Sequence, residues 1–242
     1  NRAVRNGRDA GGTPINGTPK AKNSISYQIT NGTTLSADTT LTKARSPYLI
    51  TRNGLTVAEG ATLVIESGVV VKFDPADEPS LVIKGTIRAE GTPDEPVVFT
   101  AFADDEYGGD TNGDGICDRA GASSTAACPA PGGWKNISIE PQSRNSIFQH
   151  TVIRYGGRWF TNMLIRSSVI VDQTDVVFDG VTVEHSKKHG LYLNVSSSTV
   201  KNSVFQYNVV DSDSAGLIVR NGAPDIRDSV FRENRNGLNI AG

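Results

Sequence analysis

Apolar and polar positions alternate along most of this chain in short runs, each closed by a turn signal. Tyr48-Leu49-Ile50, Leu55-Thr56-Val57, Leu63-Val64-Ile65 and Val69-Val70-Val71-Lys72-Phe73 are separated by Asn53-Gly54, Glu59-Gly60 and Ser67-Gly68. Runs of this length between glycine turns predict strands rather than helices. Leu81-Val82-Ile83, Thr86-Ile87-Arg88 and Val97-Val98-Phe99-Thr100 continue the series. The strand pattern stops over residues 101–133 and resumes at Ile137-Ser138-Ile139, from where it runs to the end. Ahead of it, Ile25, Tyr27 and Ile29 alternate with polar neighbours and predict one short strand, with Leu35 and Leu41 as its continuation.

The pattern repeats. Asn202-Ser203-Val204-Phe205-Gln206-Tyr207-Asn208 returns 26 residues later as Asp228-Ser229-Val230-Phe231-Arg232-Glu233-Asn234, with weaker copies at Gly180 to Ser186 and His150 to Gly156. In register, Ile153, Val183, Phe205 and Phe231 fall at intervals of 30, 22 and 26 residues. A unit this short does not bury its own apolar face, so the units must stack. A period in the twenties with β-branched cores predicts an all-β parallel solenoid of roughly seven coils, a rod roughly 30 Å long. We divide the chain into an extended N-terminal segment with a short strand (residues 1–45) and the solenoid (residues 46–242), which carries an insertion at 101–133.

Period-two alternation assigns faces. Leu191 and Leu193 point inward and stack on Leu217 and Val219, then on Leu238 and Ile240. Phe178, Val200 and Ile226 form a second inward ladder, and Phe205 and Phe231 a third. Asn208 and Asn234 occupy one turn, where stacked amides pass hydrogen bonds from coil to coil. Outward on the first ladder lie Ile170, Tyr192, Ile218 and Asn239, then Asp172, Asn194, Arg220 and Ala241, with Ser138 and Glu140 on the preceding coil.

Charge narrows the partners. Net charge is −2, with 21% charged residues, and no basic patch points to nucleic acid. No run of apolar residues is long enough for a transmembrane helix. The chain starts at Asn1 and its one methionine is Met163, so a processed or excised piece is expected. Cys117 and Cys128 flank a polar Gly/Ala/Ser loop. A local disulfide formed in an oxidising compartment is expected there, the alternative being two free thiols.

Several motifs carry a family resemblance: Ser46-Pro47-Tyr48-Leu49-Ile50, Val57 to Val69, Gly91-Thr92-Pro93-Asp94-Glu95-Pro96-Val97-Val98-Phe99-Thr100, Trp134 and Ile153-Arg154-Tyr155-Gly156-Gly157. With the Asn-marked repeats they resemble the right-handed parallel β-helix repeat proteins of bacterial surfaces and secretions. The resemblance covers about residues 46–242 and implies an extracellular location. It implies no single activity.

The insertion holds the strongest chemical motif. In Asp110-Thr111-Asn112-Gly113-Asp114-Gly115-Ile116-Cys117-Asp118, side-chain oxygens fall at positions 1, 3, 5 and 9, and Gly115 supplies a sharp turn at position 6. Ile116 offers its carbonyl at position 7. This spacing wraps hard oxygen donors around one calcium ion, so Asp110, Asn112, Asp114, Ile116 and Asp118 are the candidate ligands of a Ca2+ cofactor. It resembles the loops of EF-hands and dockerins, and more closely thrombospondin type 3 repeats. Gly121 stands at position 12 where an EF-hand has an acid, so a further ligand must come from Asp104, Asp105, Glu106 or water. The alternative is an Asp/Gly-rich turn with no ion.

Glu140, Asp172 and Arg220 are the catalytic candidates should the outward face act on a polysaccharide, since two close carboxylates split acid and base roles. No third acid or partnering histidine completes the set, which argues against an enzyme. Tyr155, Trp159 and Tyr192 are candidates for glycan stacking, and the histidines are read as solvent-facing turn residues. The leading expectation is an extracellular structural or adhesive module stiffened by calcium and a disulfide. A polysaccharide lyase or glycoside hydrolase and a non-catalytic glycan-binding module are the alternatives. An open C-terminal coil and the N-terminal strand, donated to a neighbour, suggest head-to-tail self-association.

Overall fold

The computed structural model describes residues 27–29, 32–76, 79–117, 128–158 and 165–241. Three strands make one coil, and successive coils lie in parallel register. Coil 1 comprises β1 (Tyr27–Ile29), β2 (Thr33–Leu35) and β3 (Thr39–Leu41), and coil 2 comprises β4 (Tyr48–Ile50), β5 (Leu55–Val57) and β6 (Thr62–Ile65). Coil 3 holds β7 (Val70–Phe73), β8 (Leu81–Ile83) and β9 (Thr86–Glu90). Coil 4 holds β10 (Val97–Ala101), β11 (Ile137–Ile139) and β12 (Ser146–Gln149), with the insertion between its first two strands. Coils 5 to 7 are β13 (Thr151–Arg154), β14 (Ser167–Asp172) and β15 (Val176–Asp179); β16 (Thr182–Glu184), β17 (His189–Asn194) and β18 (Thr199–Lys201); and β19 (Val204–Gln206), β20 (Ala215–Arg220) and β21 (Asp225–Arg227). β22 (Val230–Arg232) and β23 (Asn236–Ala241) begin an eighth coil. The chain is thus an all-β parallel solenoid of about seven turns, as its repeat predicts.

Stacking like strands gives three sheets. Sheet 1 runs β1-β4-β7-β10-β13-β16-β19-β22, sheet 2 runs β2-β5-β8-β11-β14-β17-β20-β23, and sheet 3 runs from β3 through β6, β9, β12, β15 and β18 to β21. The boundary drawn at Ser46 falls inside this stack. β1 pairs with β4, β2 with β5 and β3 with β6, so the first coil precedes Ser46. Leu35 and Leu41, expected as the continuation of the N-terminal strand, lie in two separate strands of this coil, each with one large apolar residue. β1 is therefore engaged on one edge within its own chain, not held out on a leader for a neighbour.

The inward ladders pair as alternation requires. Leu191 lies against Leu217 and Leu217 against Leu238; Leu193 lies against Val219 and Val219 against Ile240. Phe178, Val200 and Ile226 follow in sheet 3, and Ile153, Val183, Phe205 and Phe231 in sheet 1. Phe148 and Phe178 stack with centroids 5.3 Å apart, as do Phe205 and Phe231 at 5.1 Å, so large rings fill the tube coil after coil. Burial falls off toward both ends of the described stack: Leu35 is half-buried in the first coil, and Ile240 is 66% exposed in the last, where no further described coil covers it.

Corners are turned by single left-handed residues. His150, Gly180, Asn202 and Asp228 turn sheet 3 into sheet 1, and Tyr155, His185, Tyr207 and Glu233 close the sheet 1 strands, all at positive φ. The corner from sheet 1 to sheet 2 carries the long connections, including the insertion. Trp134 ends that insertion inside the core: it is fully buried, stacks on Phe73 at 4.1 Å and donates Nε1 to the Arg154 carbonyl at 2.9 Å.

Candidate functional site

The residue after each inward position of sheet 1 points outward. Parallel register aligns Lys72 with Thr100, Arg154 with Glu184, Glu184 with Gln206, and Gln206 with Arg232. Phe99 pairs with Ile153, which sets Thr100 beside Arg154. A polar ladder with one rung per coil results, and most of it is buried: Lys72 is 1% and Arg154 5% exposed. The first half of the insertion covers it.

Lys72 enters the insertion as a three-way donor. Its Nζ reaches the Asp104 carbonyl, the Gly109 carbonyl and Thr111 Oγ1, each at 2.8 Å. All three ammonium hydrogens are used, which is what makes a buried lysine tolerable. Burial still pulls its pKa down to about 8, against the raising effect of Asp104, Asp105 and Asp110.

Arg154 makes the second attachment. Its Nη1 donates to Glu106 Oε2 at 2.7 Å and its Nε lies 3.3 Å from Glu184 Oε1 and 3.6 Å from Asp104 Oδ2. Tyr107 and Tyr155 flank the guanidinium at 5.4 and 4.7 Å. Burial works to lower the Arg154 pKa, but Asp104, Glu184, Tyr155 and Glu106 outweigh it and hold it above its ordinary value. Asp104 is itself raised, by burial first, although Arg154 and the Thr100 hydroxyl counteract this. Beyond Glu184, Gln206 donates to Glu184 Oε2 and Arg232 donates to Gln206 Oε1 at 2.8 Å, so the ladder is bonded from coil to coil.

The oxygen-rich loop grows from this anchored root. Asp110 accepts the Gly113 amide on Oδ1 at 2.7 Å and the Gly115 amide on Oδ2 at 3.2 Å. Asn112 accepts the Asp114 amide at 3.5 Å. Asp105 Oδ2 accepts the Cys117 amide at 2.8 Å, while its Oδ1 is buried with no hydrogen-bond partner. Burial raises the Asp105 pKa; Asp110 and Asp114 add to the rise. Asp105, one of three residues weighed for an extra ligand, therefore lies within electrostatic reach of both loop aspartates. Among the described residues no group of three or more His, Cys, Asp or Glu side chains is already gathered as a metal site. Asp118 lies outside the described residues. Cys117 and Cys128 form a disulfide with Cα atoms 5.0 Å apart, closing the far end of the insertion.

The sheet 2 candidates keep their register. Ile139 pairs with Val171, so Glu140 and Asp172 follow on adjacent coils, and Asp172, Asn194 and Arg220 continue the row. Asp172 accepts Asn194 Nδ2 at 2.6 Å, and Glu140 accepts the Ser138 hydroxyl at 2.6 Å. Each carboxylate is thus bonded to a neutral neighbour.

Of the glycan candidates, Tyr155 is a correction. It is 2% exposed, its hydroxyl accepts Arg154 Nη2 at 2.8 Å, and its ring stacks on His185 at 5.2 Å. A sugar has no access to that face. Tyr192 is half-buried between Ile170 and Ile218 on the outward row, and Trp159 lies outside the described residues. The histidines also depart from the solvent-facing reading: His185 is sandwiched between Tyr155 and Tyr207, and His189 is buried with an unpartnered Nδ1. Lys72, Arg154, Glu184 and Gln206 went unrecognised in the sequence. Each directly follows an inward residue of the repeat, which marks its outward position but not its burial.

A family model agrees with this architecture over part of the chain. Residues 32–134 match the model of a pectate-lyase-like β-helix domain. The chain is 37% identical over 93 residues to protein bark beetle of Drosophila melanogaster, a match that takes in 38% of this chain and 3% of that protein. The chain therefore spans only a small part of this relative. No solved structure matches it. Among the described residues, no helix is long and apolar enough to cross a membrane.

Proposed function

We propose that this protein is an extracellular structural or adhesive β-helix module whose insertion is fastened by calcium. One observation carries this reading: an insertion rich in acid is docked on the solenoid with more negative than positive charge. Residues 101–118 hold Asp104, Asp105, Glu106, Asp110, Asp114 and Asp118 and no Lys or Arg. Lys72 and Arg154 supply the positive charge beneath them, and Glu184 adds a further acid. A divalent cation relieves this imbalance.

The donor set suits calcium. It consists of oxygens only, and Asp105 Oδ1 is a buried acceptor without a donor. Each Asp110 oxygen that accepts an amide retains a lone pair for an ion. Asp105, Asp110, Asn112, Asp114 and the Ile116 carbonyl would hold the ion. The bound ion supplies charge neutralisation and stiffening, not chemistry. The Cys117–Cys128 disulfide supports an oxidising, extracellular setting. Calcium titration followed by calorimetry and by melting temperature tests the reading. Calcium raises the melting temperature of the protein, and Asp114→Ala abolishes the rise; an equal rise in the variant refutes the assignment.

A polysaccharide lyase or glycoside hydrolase is the second reading, favoured by the pectate-lyase-like match and by Glu140 and Asp172 on adjacent coils. A panel of acidic and neutral polysaccharides, assayed for cleavage and binding with and without calcium, separates the two. Turnover lost in Glu140→Ala or Asp172→Ala would establish the enzyme. Binding without turnover would favour a glycan-binding module centred on Tyr192.

A further inference from the structure

We infer that Lys72 and Thr111 are positioning residues for the calcium ion: together they hold the root of the oxygen-rich loop, so that breaking their contact weakens calcium binding although Lys72 is itself a cation. The inference rests on the calcium reading above and names what sets the affinity of that site.

The contacts of Lys72 alternate with the proposed ligands. Its acceptors are the carbonyl of Asp104, one residue before Asp105; the carbonyl of Gly109, one residue before Asp110; and Oγ1 of Thr111, between Asp110 and Asn112. Three points on both arms of the loop are thereby tied to one atom of a solenoid strand. The strand is rigid, because β7 pairs with β4 on one side and β10 on the other. Thr111 is 8% exposed and its hydroxyl also reaches the Phe102 carbonyl at 3.4 Å, so it is built into the seat of the loop rather than into the ion cradle. A loop whose ligands are already placed loses less freedom on binding, and site rigidity is one of the two levers that tune calcium affinity.

Electrostatics alone argues the other way. Lys72 lies within electrostatic reach of Asp105 and Asp110 and partly neutralises them. Removing its charge would strengthen the pull of those carboxylates on a second cation. The two effects have opposite signs, so the direction of the change identifies which dominates. Thr111 carries no charge, and its loss removes the hydrogen bonds to Lys72 and Phe102 without altering the charge around the loop.

Isothermal calorimetry with calcium chloride on the full chain tests this in the protein, Lys72→Met and Thr111→Val. Both variants are expected to raise the calcium dissociation constant, Lys72→Met by about tenfold and Thr111→Val by about fivefold. Tighter binding by Lys72→Met, or unchanged binding by Thr111→Val, overturns the inference and leaves the calcium assignment standing. Absence of calcium binding in the unaltered protein removes the assignment and the inference together. Circular dichroism establishes that each variant is folded, and Thr111→Val decides alone if Lys72→Met is not.

Discussion

Asn208 donates its side-chain amide to Oδ1 of Asn234, its counterpart one coil later, at 2.9 Å. The same Asn208 accepts the Ser186 amide at 2.9 Å and donates to the Val183 carbonyl at 3.3 Å, so one buried side chain joins three coils. Asn208→Ala takes the acceptor from the buried Ser186 amide and one donor each from the Val183 carbonyl and Asn234, at about 1–3 kcal/mol for an orphaned buried group. We expect a loss of about 3 kcal/mol in urea unfolding. Asn234→Ala costs less, because Asn234 is only half-buried on the last described coil. Equal losses at the two positions would contradict the ladder account.

That ladder was legible in the sequence, and the charged ladder of sheet 1 was not. Phe205 and Phe231 advertise their inward position because burial demands an apolar residue there in every coil. An outward position makes no such demand. Lys72, Thr100, Arg154 and Glu184 share no chemistry, and what buries three of them arrives from an insertion elsewhere in the chain. Tyr155 misled for a related reason. With Trp159 and Tyr192 it reads as an aromatic open to a glycan, but its ring folds against His185 and its hydroxyl is held by Arg154. The oxygen spacing of the calcium loop was readable as a motif, whereas its anchoring by Lys72 is a tertiary fact without local signature.

Val195 is a corner residue that does not suit its backbone. Its φ is +48°, while Gln173 and Asn221 at the equivalent corners sit at +52° and +50°. A β-branched residue is disfavoured in this region by about 1–2 kcal/mol, and asparagine tolerates it. Val195 is 52% exposed, so little packing is lost on replacement. Val195→Asn should stabilise the protein by about 1 kcal/mol in chemical denaturation. A destabilised variant would show that the exposed isopropyl group contributes more than its backbone costs.

Two glycines separate steric space from backbone conformation. A Cβ on Gly85 would lie 2.1 Å from the Ala61 carbonyl oxygen and 2.3 Å from that of Ala58, both backbone atoms of the neighbouring coil. Gly60 has open space around it but a φ of +83°. Gly85→Ala must push two coils apart and should cost about 3 kcal/mol or more. Gly60→Ala should cost only about 1 kcal/mol, from φ alone. Melting temperatures of the two variants provide the comparison, and a mild Gly85→Ala would mean that the coils slide past each other more freely than their parallel register implies.

His189 makes stability depend on pH. Its ring is buried at the start of β17, with Lys188 and Arg220 on one side of the charge balance and Asp211 and Asp213 on the other. Burial, assisted by Lys188, pulls its pKa down to about 4 from an ordinary 6.5. Between these values the unfolded chain binds a proton that the folded chain refuses, so stability falls as pH drops through that window. Asp104 works in the opposite direction, because burial raises its folded pKa and acid then favours the folded state. The informative quantity is therefore the difference between the protein and His189→Gln. Between pH 7 and pH 5 the unaltered protein should lose about 1 kcal/mol more than the variant, a figure reduced from the full shift to allow for solvent screening. Parallel stability curves for the two proteins would mean that His189 is protonated in the fold, its charge answered by Asp211 and Asp213.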